Sequence, residues 1–172
     1  GVRWFDAPAA MMREPEDVLI ENGWIIARGA PASAHTDITN TIDAPGSSLL
    51  PGLWDMHVHV GKSDLLLHLA AGVTTVRDLS NDNEYLGKLR QQLAQGELLG
   101  PRVLANGFIE GESPYSARGG FVVNSLGDAL KAVDWYADRG YTQLKLYNSI
   151  RPEWVKPMVR SEEHTSELQS LR

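Results

Sequence analysis

The sequence contains no cysteine, which excludes disulfides and thiolate-held metals and leaves His, carboxylate or a modified side chain to ligate any ion. It lacks a basic excess: 16 Lys and Arg face 22 Asp and Glu, a formal net charge of -6, so no field is present that draws in nucleic acid or anionic lipid. No window approaches the roughly 18 to 20 uninterrupted apolar residues of a membrane span, and the opening GVRWFDAPAAMMREPED does not read as a secretory signal. Nor is the composition biased, with 42% hydrophobic and 22% charged residues, which excludes collagen-like and fully disordered chains. A soluble enzyme or small-ligand binder is the remaining expectation.

The 172 residues suit one ordinary domain or two small ones, and two patterns meet near Pro51. Residues 1–50 read as part of a small β-domain. Val18 to Glu21 and Trp24 to Arg28 flank Asn22-Gly23, a strong hairpin signal, with further strands expected at Ile38 to Ile42 and Ser48 to Leu50. Residues 51–159 alternate strand with helix. LWDMHVHV, Val73 to Asp78, Pro101 to Gly107 and Tyr141 to Tyr147 are the strands; the helices are capped by Ser63 and Ser125, stop near Gly72, Gly96 and Gly140, and resume at Pro152. That alternation predicts a parallel sheet. A doubly wound fold is disfavoured because HVHVGKSD stands where a glycine-rich phosphate turn belongs. A (β/α)8 TIM barrel needs about 250 residues, so the chain could supply about four of its eight units. Residues 160–172, opening RSEEHTSELQS, show no helical or strand period and resemble a translated sequencing adapter. They are expected to be a non-native tail, and His164 is not counted as a ligand.

His57 and His59 are the sharpest feature. Residues two apart on a strand share a face about 6.5 to 7 Å apart, so two imidazoles can converge on one ion, and they close the first strand of the alternating block, where parallel α/β folds build their sites. In QLKLY, Gln143, Lys145 and Tyr147 share one face and Leu144 and Leu146 the other. Lys145 then points either inward or to the rim. Buried, a neutral amine can take up carbon dioxide as a carbamate able to bridge two divalent ions; at the rim it is a snorkelling surface lysine. The loop GESPYSARGG offers Arg118 to clamp a substrate carboxylate and Tyr115 to stack or donate. Arg77 and Asp78 suggest a structural ion pair. His68 reads as a helix-face residue, and His35 lies in a loop of the β-domain.

These residues carry a resemblance. LLPGLWDMHVHV is similar to the first barrel strand of the amidohydrolase superfamily and AAGVTTVRDLSND to its second; GPRVLANGFIEG and GYTQLKLYNSI resemble the third and fourth strands of its imidazolonepropionase-like and metallodipeptidase-like branch. The resemblance spans about residues 17–159. It implies a partial TIM barrel preceded by part of a β-sandwich, and His57, His59 and a carboxylated Lys145 as ligands of one or two divalent ions, zinc foremost. It implies hydrolysis of a carbon–nitrogen bond in a small amide, cyclic amide or dipeptide by metal-activated water, in a parent able to form homo-oligomers. Two further His and a proton-shuttle Asp of that family have no counterpart in the sequence, so the 172 residues alone are expected to be inactive and poorly soluble. A non-enzymatic scaffold on the same fold is the alternative.

Overall fold

A computed structural model describes the backbone of residues 1–170 and the side chains of residues 1–161. It divides into two compact units, Gly1–Pro51 and a second beginning at Gly52. In the first, β1 (Val2–Asp6) pairs antiparallel with β2 (Met11–Glu16) and parallel with β5 (Ser48–Leu49). β3 (Val18–Glu21) and β4 (Trp24–Arg28) form a separate hairpin. Its turn works because Asn22 and Gly23 both take positive φ, 51° and 80°, the geometry whose twist matches paired strands. A single helical turn follows, α1 (Ala30–Ser33). The strand expected at 38–42 does not form. Ile38 and Ile42 are both exposed, Ile42 by 86%, so extending this segment would bury nothing to offset the entropy of ordering it.

The second unit begins with β6 (Leu53–Val58), a 3-10 turn (Lys62–Asp64) and α2 (Leu65–Ala70). Contrary to expectation, Ser63 does not cap α2; it sits inside the 3-10 turn, where the Asp64 carboxylate accepts from Gly61 N at 3.1 Å. Then come β7 (Val73–Asp78), α3 (Asn83–Ala94), β8 (Arg102–Ala105), β9 (Gly107–Gly111), β10 (Phe121–Val123), α4 (Leu126–Ala137), β11 (Leu144–Leu146) and α5 (Pro152–Ser170). Side-chain caps start α3 and α4: Asp82 accepts from Tyr85 N and Ser125 from Asp128 N. The stretch from Arg160 to Ser170 continues α5 rather than lacking regular structure. A helix already nucleated upstream extends readily through Ser, Glu, Leu and Gln. The rest of the expected tail, Leu171 and Arg172, lies outside the described residues.

All pairings in this unit are parallel, in the orders β6-β7-β8 and β10-β9-β11. The single third strand expected at 101–107 is two. Asn106 N donates to Asp78 O and Gly107 N to Gln143 O, both at 2.9 Å, so one extended segment leaves β7 and joins the β11 side within two residues. The result is a mixed α/β unit with small parallel sheets. One core cluster lies where Leu65, Leu86 and Leu89 meet Val76 and Val103; the other joins Ile109 and Val123 to Val133, Tyr136, Trp154 and Met158. Burying each large apolar side chain contributes about 1.5 to 3 kcal/mol. Parallel pairing sends the loops after β6, β7, β9 and β11 to one end of the strands.

Tyr136 is fully buried, and its hydroxyl bonds Asn83 Oδ1 at 2.9 Å and Phe108 O at 3.0 Å. Burial holds the phenol above its ordinary pKa, outweighing the hydrogen bonds to Phe108 and Asn83, which act the other way. Tyr136→Phe leaves both partners short of a bond and should lower stability by about 1 to 3 kcal/mol, read from urea unfolding curves.

Candidate functional site

The site begins with an irregularity in β6. Asp55 pairs with Val76 but Val58 with Asp78, so β6 carries one residue more than β7 over this stretch, a bulge next to His57. The Asp55 carboxylate accepts from His57 N at 3.1 Å, supplying a local partner for that N–H. β6 then ends at Val58, leaving His59 one residue beyond the strand rather than inside the eight-residue strand expected. The two imidazoles nevertheless lie together, ring centroids 5.6 Å apart and planes at 73°. His59 Nδ1 is 2.7 Å from Ser80 O. A carbonyl only accepts, so Nδ1 carries the proton and Nε2 keeps a free lone pair, the tautomer a metal ligand needs.

Asp78, the last residue of β7, organises the loops around this pair. Fully buried, it accepts from Val60 N at 2.7 Å, Ser80 N at 3.1 Å and Asn81 Nδ2 at 2.9 Å. Burial outweighs these donors and pushes its carboxyl above the usual aspartate range. A carboxyl whose folded pKa is raised stabilises the fold fully below its unfolded pKa, and that contribution is lost as pH rises through the folded value. The expected ion pair with Arg77 does not form. Arg77 donates to Met56 O at 3.0 Å and Gln143 Oε1 at 3.3 Å, as befits adjacent strand residues facing opposite ways.

A cleft of about 470 Å³ opens beside His59, lined among others by Asn81, Phe108, Arg118, Lys145 and Tyr147. Lys145 is half-buried, its ammonium 4.8 Å from the Tyr147 ring centre and 5.7 Å from that of Phe108, while Leu144 and Leu146 pack into the core. The structure thus brings His59, Lys145 and Arg118 to one cleft, with His57 against His59. Tyr115 is 93% exposed and does not line it. His68 is a half-buried residue of α2.

Sequence reasoning missed a second buried carboxylate, Glu110, 1% exposed. It accepts from Ser149 N at 2.7 Å, Gly111 N at 3.0 Å and Ala117 N at 3.4 Å. The loop bearing Arg118 is thereby tied to the turn after β11. The available signal was position: Asp78 and Glu110 each end or nearly end an apolar strand run, immediately before a loop.

Among the described residues, no three His, Asp or Glu side chains gather as a metal cluster. A metal here would rest on two imidazoles and a donor of another kind. The free Nε2 of His59 beside His57 fits such an ion.

No family model matches the chain. Adenine deaminase 2 of Rhizobium etli is 42% identical over 82 residues, 44% of this chain and 13% of that protein. Bottromycin amidohydrolase superposes with a TM-score of 0.74 and 22% identity, over 96% of this chain and 36% of its own. A Xaa-Pro dipeptidase crystallised with methionine in its active site gives 0.68 and 17%, over 98% of this chain and 53% of its own. The chain therefore spans only about an eighth to a half of the lengths of these proteins. In sequence over part of its length, and in fold over nearly all of it, the chain is similar to proteins of the amidohydrolase superfamily.

Proposed function

We propose that the chain is the metal-binding portion of a hydrolase that cleaves carbon–nitrogen bonds in small amides, cyclic amides or dipeptides. The observation that carries this reading is the His59 ring, oriented by Ser80 O with Nε2 unused, next to His57 and facing a cleft shared with Lys145 and Arg118. The similar proteins are named as an amidohydrolase, a dipeptidase and a deaminase, names that share this bond class. The all-parallel pairing β6-β7-β8 supports a reading of these strands as part of a TIM barrel.

His57 and His59 would hold one or two divalent ions, zinc by preference among imidazole sites. Lys145 would join them as a carbamate: the ammonium first gives up one proton, the neutral Nζ then forms a bond to the carbon of carbon dioxide and loses a second proton, and a cation has become an anionic oxygen donor. A bound ion of this class supplies Lewis acidity toward a carbonyl and a water acidic near neutral pH. Arg118, on a loop fixed by Glu110 and Ser116, would receive a substrate carboxylate and orient the amide beside the imidazoles. Tyr115 would reach a substrate only from the outer rim. The phenyl and phenol faces of Phe108 and Tyr147 keep water from one wall of the cleft.

Metal-stripped chain titrated with zinc should bind it, and His57→Ala or His59→Ala should each weaken binding by at least about tenfold; retention of full affinity in both variants would overturn the reading. Lys145→Ala should abolish any gain in affinity produced by added bicarbonate. In the whole protein, chelation should stop release of amino acid from N-acyl amino acids and zinc should restore it. Arg118→Gln should raise KM for carboxylate-bearing substrates about 10-fold to 100-fold, with little change for their neutral amides.

A further inference from the structure

We propose that Asp78 is a positioning residue for His59, holding that imidazole in the tautomer and orientation that leave Nε2 available. The inference rests on the metal reading only for its purpose; the geometry is independent of it. Asp78 is fully buried and, among the described residues, makes no salt bridge. A carboxylate in that setting costs several kcal/mol unless donors converge on it, and three do. Val60 N belongs to the residue directly after His59, Ser80 N to the residue whose carbonyl bonds His59 Nδ1, and Asn81 Nδ2 donates also to Val60 O at 2.9 Å.

These bonds close a ring. From Asp78 they run to Val60, along the chain to His59, through Nδ1 to Ser80 O, and from Ser80 N back to Asp78. The ring fixes the backbone on the C-terminal side of His59 and the carbonyl its side chain meets, so the imidazole finds a held acceptor at Ser80 O and swings only by giving up that bond. The carboxylate suits this role because it accepts at both oxygens. An asparagine of the same size would turn an NH2 group toward N–H donors and open the ring at one point.

The experiment is nitrogen NMR of the His59 ring in metal-free chain, paired with zinc titration. Wild type should show the Nδ1–H tautomer. Asp78→Asn should show mixed tautomers and bind zinc about 10-fold to 100-fold more weakly. Glu110→Gln, a buried carboxylate whose bonds serve other loops, should lose stability while leaving the His59 signals unchanged. A wild-type Nε2–H tautomer would overturn the proposal without any variant, as would a folded Asp78→Asn with the wild-type spectrum. If Asp78→Asn does not fold, Asn81→Ala removes the side-chain donor that braces Asp78 and Val60 and should give a smaller tautomer shift; its absence would overturn the proposal. Tautomer loss in a chain that never binds zinc would leave the positioning role standing and remove the metal reading instead.

Discussion

A carboxylate sealed from water must collect hydrogen-bond donors, and in this chain that demand shapes the end of the parallel strands where the loops gather. Asp78 and Glu110 lie at or near the ends of their strands, neither exposed by more than 1%, and each draws N–H groups from its own loop and from a neighbouring one. Loops of this length otherwise lose little by wandering. Here any excursion strips donors from a buried anion, a penalty far larger than that of an ordinary exposed hydrogen bond. Rigidity is thus supplied from beneath the loops, and the cleft-lining side chains inherit it.

The change of partner at Asn106 and Gly107 does the complementary work. Because one extended segment bonds β7 first and the β11 side next, the Lys-bearing β11 is joined through it to β7, the strand paired with the His-bearing β6. A Cβ at Gly107 would overlap Leu144 and Tyr136, and one at Gly111 the Ser149 carbonyl. Both positions therefore need glycine for close approach rather than for conformational freedom. At these points β9 offers no side-chain bulk, which lets β11, the turn after it and α4 approach closely.

Much of this was legible in the sequence. The bounds of β7 and the helices α3 and α4 follow from local periodicity and, for α4, from the Ser125 cap, which acts within a few residues. The alternation that put Leu144 and Leu146 on the core side also set Lys145 toward the cleft. Legibility ended where bonds span long separations. Nothing near Ile38 and Ile42 announces that they lack a partner strand, and the break at Asn106 is decided by Asp78 and Gln143, 28 and 37 residues away. Asp78 suggested a pairing with Arg77 because charge invites charge; the fold instead satisfied it with backbone amides. Tyr115 shares a loop with Arg118, yet only the latter borders the cleft.

The bulge in β6 has a consequence for how the chain tolerates change. Strict alternation would lock the orientation of every residue from Trp54 onward into one phase, but the additional residue resets that phase just before His57. Upstream of it Leu53 and Trp54 are exposed, so substitutions there cost little packing. Loss of a single residue beyond Asp55 would instead invert the parity of the histidine segment and turn an imidazole toward the wrong side of the sheet. The strand thus divides into a half that forgives deletion poorly and a half that tolerates substitution, a contrast that no hydropathy profile would reveal.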